Sequence, residues 1–315
     1  MSSCWLFITD PWDTLDHPND TTLRVMEAAA KMKVAVFWAS VKSIRWQAGQ
    51  VVLDSYSCSR AELHAARFEG TGLSSPCWTT GPRSFKQVHY RVDPPVDLAY
   101  LHPLQMLHQS AGRRLVNPAS ALVLFSEKTF AAEIPELFPD TCVSSEKAVL
   151  EDFVNTRGKA VLKPLHLAQS KGVTRVDSSN PGLLHRELAL ASEGFTRPIL
   201  LQQFLPEVAE KGETRLWFVD GELLAAVQKV PARGEFVIDM DRGGSLAKAT
   251  LSRGDKIGAK KIGALLRKHR IRLAAVDWIA GKITDFNITS PGLIVAMEKL
   301  LERDLASRIV RRLSI

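Results

Sequence analysis

The most informative stretch of this chain is Val276-Asp277-Trp278-Ile279-Ala280-Gly281-Lys282-Ile283-Thr284-Asp285-Phe286-Asn287-Ile288-Thr289-Ser290-Pro291-Gly292. The apolar residues on both sides of the Ala280-Gly281-Lys282 turn predict two strands of a hairpin. Asp285 and Asn287 are two residues apart on the second strand, so their side chains share one face. The turn folds Asp277 back beside them. Because hard oxygen ligands grouped in this way suit Mg²⁺, we predict a magnesium site formed by these three side chains.

The alternative for this stretch is a surface hairpin with scattered acidic residues. The apolar run Leu273-Ala274-Ala275-Val276 stands directly before Asp277. Asp277 therefore ends a segment that we expect to be buried, and this favours the magnesium site over the surface hairpin.

Length and charge limit the class of protein. The chain has 315 residues, of which 45% are hydrophobic, enough for a large core and for two or three domains. There are 41 lysines and arginines against 34 aspartates and glutamates, a net charge of +7. This mildly basic balance favours anionic ligands such as nucleotides and does not by itself indicate nucleic acid.

Cysteine usage and hydropathy indicate the compartment. The four cysteines have no CxxC or paired spacing, so we expect free thiols and neither disulfides nor a zinc site. Residues 1–8 have no basic segment and too short an apolar run for a signal peptide. No apolar stretch approaches the length that spans a bilayer. We expect a soluble cytoplasmic protein without a membrane partner.

Two strands and a helix open the chain. Trp5–Thr9 and Val34–Trp38 predict strands, and Asp20-Thr21-Thr22 caps a helix that runs to about Met32. This order predicts a parallel sheet. The rest of a first domain, residues 1–120, is expected to contain a hairpin at Ile44–Leu53, an irregular segment at 55–85, strands at Val88–Val92 and Arg114–Val116, and a helix at Val96–Gln109.

Two blocks of mixed helices and strands follow, residues 121–205 and 206–315. In the first we predict helices at 126–133, Ser145–Asn155 and 182–192, and strands at Thr141–Val143, Lys159–Lys163, Val173–Val176 and Ile199–Phe204. In the second we predict strands at 214–219 and 223–230, an insertion at 231–250, a helix at 255–268, the hairpin and terminal helices. The expected fold class is α/β, with α+β character in the last two blocks.

Lysines at strand and helix ends are candidate phosphate ligands. Lys163 closes the apolar run Ala160-Val161-Leu162, and a buried lysine is costly unless it meets an anion such as phosphate. The alternative is a lysine that reaches out to water. Lys128 is either a second phosphate ligand or a surface helical lysine.

Other candidates lie in the last two blocks. The strand end Gln202-Gln203-Phe204-Leu205 offers backbone groups for an adenine edge and apolar side chains for its ring, although an ordinary core strand fits equally well. Glu213 and Arg215 share a face, where they suit ribose and a phosphoryl group or form a solvated ion pair. The insertion places arginines beside glycines at 233–234 and 242–244, a pattern of anion-binding loops and of flexible surface loops.

The segment 253–272 carries eight lysines and arginines. It lacks the interleaved aromatic residues that bind nucleic acid. Ile257, Ile262, Leu265 and Leu266 form an apolar stripe on the same helix, so we expect a solvated helix face and no nucleic-acid partner.

The order of the motifs is more specific than any one of them. They are Asp10-Pro11, Arg91-Val92-Asp93-Pro94-Pro95-Val96-Asp97, Val116-Asn117-Pro118, Glu127-Lys128, Val161-Leu162-Lys163-Pro164-Leu165, Gln202-Gln203-Phe204-Leu205-Pro206, Val219-Asp220-Gly221-Glu222, Asp277 and Asp285-Phe286-Asn287-Ile288-Thr289-Ser290-Pro291. In this order they resemble the bacterial glutathione synthetases, of the ATP-grasp superfamily, over nearly the whole chain. The insertion around 234–245 is similar to that of the ribosomal-protein glutamate ligases of the same superfamily.

The resemblance implies an ATP-grasp fold and an ATP-dependent carboxylate–amine ligase. The implied domains are an N-terminal substrate-binding domain (1–120), a central lid domain (121–205) and a C-terminal domain with the metal site (206–315), the last two clamping ATP. ATP would phosphorylate a substrate carboxylate, and an amine would attack the acylphosphate to give an amide and ADP. The implied cofactors are ATP and one or two Mg²⁺ ions. The implied partners are peptide-like acid and amine substrates and further copies of the chain, as a dimer or tetramer.

The resemblance also assigns roles by position. The nucleotide-binding residues would be Lys128, Lys163, Ser170, Lys171, Gln202, Gln203, Phe204, Leu205 and Glu213. Arg91, Asp93, Arg233 and Ser290 would face the substrate. Arg215 and Arg242 would stabilise the phosphoryl or carboxylate group in catalysis, and Asp277, Asp285 and Asn287 would hold magnesium.

The sequence departs from the family pattern at three places. After Lys163-Pro164-Leu165 the family has a glycine-rich loop, whose glycines let backbone amides approach phosphate, and here 166–172 contains one glycine. Asp285 stands where the family usually has a glutamate. The glycine-rich segment after Leu246 is shortened to 247–250. These departures motivate an alternative function, a catalytically impaired paralogue that binds nucleotide or peptide without turnover.

Overall fold

The computed structural model describes residues 4–165, 172–238 and 243–315. Its N-terminal strands are β1 (Cys4–Thr9), β2 (Ala35–Ser40), β3 (Arg45–Gln47), β4 (Gln50–Cys58), β5 (Cys77–Thr80), β6 (Gln87–Tyr90) and β7 (Leu115–Val116). They form one sheet in the order β3-β4-β2-β1-β6-β7, with β5 beside β4. β1 pairs in parallel with β2 and β6, and β6 with β7, which confirms the predicted parallel pairing for these strands. β2, β3 and β5 pair with β4 in antiparallel orientation, so the whole sheet is mixed.

Four helices accompany this sheet: α1 (Thr21–Lys31), α2 (Arg60–Glu69), α3 (Leu98–Ala111) and α4 (Ala119–Leu124). α1 begins as predicted, since the Asp20 side chain accepts a hydrogen bond from the Leu23 amide at 2.7 Å. Residues 55–85 are not irregular as predicted. β4 continues to Cys58, and α2 begins at a capping box of Ser59 and Glu62 and ends at Gly70 in the left-handed region.

The predicted helix at 126–133 is also wrong. α4 ends at Leu124, and the chain continues as turns and a short 3-10 helix, Phe130–Glu133. The physical reason is a tertiary contact. The Glu127 carbonyl binds the second strand of the hairpin, and its side chain binds the residues directly after that strand, as described below.

The central block forms its own sheet and core. Its elements are β8 (Thr141–Ser144), α5 (Lys147–Arg157), β9 (Lys159–Pro164), β10 (Thr174–Asp177), α6 (Pro181–Ala191) and β11 (Ile199–Gln203). The strands lie in the order β10-β9-β11-β8. Leu150 of α5 and Leu188 of α6 pack on Leu162 and Leu201 of the sheet. This core is separate from the cores of the rest of the chain.

The C-terminal block is built around a five-stranded antiparallel sheet. Its elements are α7 (Glu207–Lys211), β12 (Glu213–Val219), β13 (Glu222–Val230), β14 (Ser245–Lys248), α8 (Arg253–Lys268), β15 (Leu273–Ile279), β16 (Lys282–Asn287), α9 (Ile294–Leu301) and α10 (Leu305–Leu313). The strand order is β14-β13-β12-β15-β16, so the predicted hairpin, β15–β16, lies at one edge. The predicted insertion contains β14, which pairs with β13.

The N-terminal and C-terminal sheets share two cores. Leu6 and Tyr90 belong to the same buried cluster as Leu216 and Phe286, and Trp5 belongs to the same cluster as Trp217. The apolar stripe of α8 enters the first cluster through Ile262, Leu265 and Leu266. Ile257 is 51% exposed and was wrongly assigned to that stripe. Among the described residues, no helix has the length and apolar composition to cross a membrane.

Candidate active site

Arg215 on β12 and Asp277 on β15 form the centre of the site. The two residues face each other across antiparallel strands. Arg215 Nε lies 2.8 Å from Asp277 Oδ1 and Nη2 lies 2.7 Å from Oδ2, a bidentate ion pair. Burial acts to raise the pKa of Asp277, but Arg215 and Lys229 outweigh it, and the pKa is lowered. Asp277 is therefore a buried carboxylate that its neighbours keep ionised.

A second buried ion pair lies beside the first. Lys229 on β13 places Nζ 2.5 Å from Glu213 Oε1 and 3.7 Å from Asp277 Oδ1. Thr284 on β16 donates its hydroxyl to Glu213 Oε2 at 3.2 Å. Burial and repulsion by Asp277 raise the pKa of Glu213, while Lys229 opposes the rise. Three strands, β12, β13 and β15, thus bring two cations and two carboxylates together on one face, and Glu213 and Arg215 share that face as predicted.

Lys163 on β9 joins the central sheet to this cluster. Its ammonium donates to Gln202 Oε1 at 2.8 Å and to the Thr284 carbonyl at 2.7 Å. Burial lowers the pKa of Lys163, and the carboxylates of Asp285 and Glu213 oppose this. The alternative of a strand-end lysine that reaches to water is wrong, because the ammonium lies between the two sheets.

Asp285 on β16 carries a buried oxygen without a partner. Within the described residues, its Oδ1 accepts no hydrogen bond. Burial raises the pKa of Asp285 to about 6, although the cations of Lys128 and Lys163 act to lower it. A buried carboxylate oxygen without a donor is costly, and a bound cation would satisfy it.

The turn that carries Lys128 is fixed by its neighbour Glu127. Glu127 Oε1 accepts hydrogen bonds from the amides of Ile288 and Thr289 at 2.6 and 2.9 Å. The Glu127 carbonyl accepts from the Phe286 amide at 2.8 Å. Lys128 is 7% exposed, and its charge acts to lower the pKa of Asp285. The alternative that Lys128 is a surface helical lysine is therefore wrong.

The strand end predicted to bind adenine borders the cluster, because Gln202 accepts the hydrogen bond from Lys163. Gln202 is buried, and Gln203, Phe204 and Leu205 are half-buried. The Phe236 ring packs edge-on to Phe204 with 6.0 Å between centroids. The Arg175 guanidinium lies 5.5 Å from the Phe204 centroid and 5.9 Å from that of Phe236. The insertion therefore contacts this strand end through Phe236, and Arg233 is exposed.

Three of the predicted substrate residues come together beyond the hairpin. Arg91 is buried and donates to Thr22 Oγ1 at 3.1 Å and to the Pro291 carbonyl at 2.9 Å. The neighbouring Ser290 hydrogen-bonds the Asp93 side chain. Arg91 thus ties the end of β6 to the segment after β16. Arg233 has no contact with this group among the described residues.

The predicted metal ligands fit magnesium in part. In residues 4–165, 172–238 and 243–315, no group of three or more His, Cys, Asp or Glu side chains is placed to hold a metal ion. Asp277 and Asp285 are paired across the β15–β16 ladder, and Asn287 donates its amide to the Ala275 carbonyl at 3.3 Å. Magnesium typically binds to one or two carboxylates together with substrate phosphates and water. The unpartnered Asp285 Oδ1 is the observation that favours such an ion.

Sequence reasoning missed Lys229, Thr284 and Glu127. Lys229 stands opposite Glu213 in the β12–β13 register, so a search for opposite charges across the predicted hairpin would have found it. Thr284 and Glu127 gave no such signal, since their roles depend on contacts between blocks. The predicted residues Ser170, Lys171 and Arg242, and the loop 166–171, lie outside the described residues.

Comparison with known proteins identifies the family. Residues 4–122 match the model of the prokaryotic glutathione synthetase N-terminal domain, and residues 127–302 match that of the prokaryotic glutathione synthetase ATP-grasp domain. The glutathione synthetase of Parasynechococcus marenigrum (strain WH8102) is 31% identical over 322 residues, covering 98% of each chain. That of Rhodopseudomonas palustris is 31% identical over 305 residues, covering 95% of this chain and 94% of the relative.

Solved structures show the same fold. The D-cycloserine synthetase DcsG has a TM-score of 0.70 at 18% identity, covering 99% of both chains. The macrocyclase MdnC of Microcystis aeruginosa has a TM-score of 0.65 at 13% identity, covering 99% of this chain and 100% of that one. The α/β ATP-grasp fold that the sequence predicted is confirmed. The chain belongs to the prokaryotic glutathione synthetase family of ATP-grasp amide-bond ligases.

Proposed function

We propose that this protein is a magnesium-dependent ligase that uses ATP to join a peptide-like carboxylic acid to an amine through an acylphosphate. One observation carries the proposal. Lys163 from the central sheet and Arg215, Asp277 and Asp285 from the C-terminal sheet meet in one buried cluster, where Asp285 Oδ1 has no hydrogen-bond partner among the described residues. A site with fixed cations and a free carboxylate oxygen suits a phosphoryl group and its metal.

We also propose a division of the chain into three domains. They are a substrate-binding domain (1–120), a central domain (121–205) and a C-terminal domain (206–315), with the nucleotide between the last two. The family matches change from the N-terminal to the ATP-grasp model between residues 122 and 127, which supports the first limit. The separate core of the central sheet supports its treatment as a lid.

Each group of residues has a task in binding ATP. The end of β11, from Gln202 to Leu205, takes the adenine, with apolar side chains on its ring and backbone groups at its edge. Lys128 and Lys163 hold the phosphates, and Glu213 accepts the ribose hydroxyls. In the structure Glu213 is engaged by Lys229 and Thr284, so ribose binding replaces one of these contacts.

The reaction proceeds in two displacements. An oxygen of the substrate carboxylate attacks the γ-phosphorus of ATP, and the bond to the β,γ-bridging oxygen breaks to release ADP. The amine nitrogen then attacks the acyl carbon, phosphate leaves, and the amine proton passes to solvent. Arg215 stabilises the negative charge on the transferring group, and Asp277 holds the guanidinium in position. Asp285, Asp277 and Asn287 would hold Mg²⁺, which neutralises phosphate charge when bound.

ADP release tests the proposal. With ATP and Mg²⁺, we expect ADP only when an acid from a dipeptide panel and an amine from a panel of glycine and other amino acids are both present. Lys163→Met should abolish it, and the exposed Lys256→Met should leave it unchanged. Absence of ADP across the panels would contradict the ligase. Thermal stabilisation by ATP under those same conditions would instead support the alternative, a paralogue that binds nucleotide without turnover.

A further inference from the structure

A second concave site lies away from the proposed ATP cleft. It is a cavity of about 730 Å³ between the end of α3, the start of α4, the β12–β13 turn and the end of α8. None of the residues that line it belongs to the cluster around Arg215. Its volume is within the range of small-molecule sites, about 300–1,000 Å³.

The cavity is strongly basic. One acidic residue, Asp220, lines it. The lining also contains four arginines: Arg113, Arg267, Arg270 and Arg272. Arg272 neutralises Asp220 through a bidentate pair, with Nε 2.6 Å from Oδ1 and Nη2 2.9 Å from Oδ2. Arg267 donates to the Gly221 carbonyl at 2.9 Å. Asp220, the single carboxylate in the lining, is therefore already paired with Arg272.

Two of the guanidinium groups are available to a ligand. Within the described residues, the side chains of Arg113 and Arg270 have no hydrogen bond, ion pair or ring contact. Both are exposed and line the same cavity. A guanidinium presents a planar set of donors that matches phosphate and carboxylate oxygens. An anion bound by them would also offset the positive charge of Arg113 and Arg270, which Asp220 does not neutralise because it is paired with Arg272.

The rest of the lining sets the size and nature of the ligand. Leu115, Pro118, Ala119 and Ile271 add apolar surface. A flat basic surface would suit a long polyanion such as nucleic acid, whereas a concave cavity with apolar walls suits a small organic anion. Arg113 belongs to the N-terminal domain and Arg270 to the C-terminal domain, so one ligand would contact both.

We propose that this cavity binds a small organic phosphate, held by Arg113 and Arg270 and packed against the apolar wall. Phenyl phosphate is a suitable probe because it combines a dianion with an apolar ring. Phenol, which has the same ring and no phosphate, is the matched ligand. Isothermal titration calorimetry on the full chain measures both.

Two double variants make the test specific. The cavity pair is Arg113→Gln/Arg270→Gln, and the control pair is Arg60→Gln/Arg303→Gln. The second pair removes the same charge from exposed arginines elsewhere. We expect the cavity pair to weaken phenyl phosphate binding by about tenfold or more, the control pair to leave it unchanged, and phenol not to bind. No binding to the wild type, or equal binding by both pairs, would overturn the proposal. Both pairs should fold, because the four side chains are exposed and make no hydrogen bond or ion pair with any residue that the structure describes.

Discussion

At the scale of single residues, Asp285 is the most informative side chain. Its buried Oδ1, which has no hydrogen-bond partner in residues 4–165, 172–238 and 243–315, lies near the cations of Lys128 and Lys163, and a metal ion would satisfy it. We expect Asp285→Asn to reduce turnover by about a hundredfold or more and to raise the Mg²⁺ concentration needed for half-maximal ADP release. Asp152→Asn, an exposed change on α5, is the control. Full activity with unchanged magnesium dependence would rule out a role for Asp285 in metal binding.

His89 predicts how the fold responds to acid. The ring is buried and stacks on Phe7 with 4.4 Å between centroids. Burial, with the cations of Arg91 and Arg272, lowers the pKa of His89 to about 3. A lowered histidine pKa stabilises the fold above the unfolded pKa of about 6.5, and this contribution is lost as the pH falls from there towards 3. The resulting loss in the free energy of unfolding is at most about 5 kcal/mol.

His89→Phe should therefore make the protein less sensitive to acid. The melting temperature should fall less between pH 7 and pH 4.5 in this variant than in the wild type, whatever its absolute value at pH 7. His102→Phe, at an exposed position on α3, should keep the wild-type difference. The same loss in both variants would show that His89 does not control the acid response.

At the scale of elements, the contact between α8 and the β12–β13 turn depends on two glycines. A Cβ at Gly263 would overlap the Gly221 carbonyl oxygen, and Gly221 itself has φ +73°. Gly263→Ala should separate α8 from the turn and lower the free energy of unfolding by about 1–3 kcal/mol. Gly254→Ala in the same helix has only the Ser252 hydroxyl nearby, at 3.6 Å, and should be neutral or stabilising. Thermal unfolding of both variants measures this, and equal melting temperatures would contradict it.

The hairpin shows how far an element can be predicted from sequence. β15, β16 and the Ala280–Gly281 turn were predicted because alternation and turn residues are local signals. The segment 126–133 was mispredicted because its conformation depends on Glu127, which binds the amides of Ile288 and Thr289 more than 150 residues later. A local pattern carries no information about such a partner.

At the scale of the whole molecule, Asn117 joins the N-terminal sheet to the C-terminal sheet. Its Nδ2 donates to the carbonyls of Leu273 and Ile288, both at 2.7 Å. Its Oδ1 accepts from the amides of Arg272 and Leu273 at 2.8 and 2.9 Å. The side chain thus fixes the edge of the first sheet to the start of β15, the strand that carries Asp277.

Replacing Asn117 should loosen this junction. Asn117→Ala leaves buried backbone groups unpaired, and we expect a loss of about 3 kcal/mol or more in the free energy of unfolding. Asn155→Ala, at an exposed position on α5, is the matched control. Urea unfolding followed by tryptophan fluorescence measures both, and a loss in Asn117→Ala no larger than in the control would show that the shared cores alone hold the domains together.

The sequence by itself determined most of the strands and helices, the hairpin with Asp277 and Asp285, and the family, because each rests on local spacing or on the order of motifs. Only the tertiary structure decided which charges meet. Arg215 pairs with Asp277 across 62 residues of sequence, and Lys163 reaches the Thr284 carbonyl across 121. It also decided that Asp285 Oδ1 is buried without a partner in the part of the chain that the structure describes. Such pairings follow from sheet register and from the packing of separate blocks, which local sequence patterns do not encode.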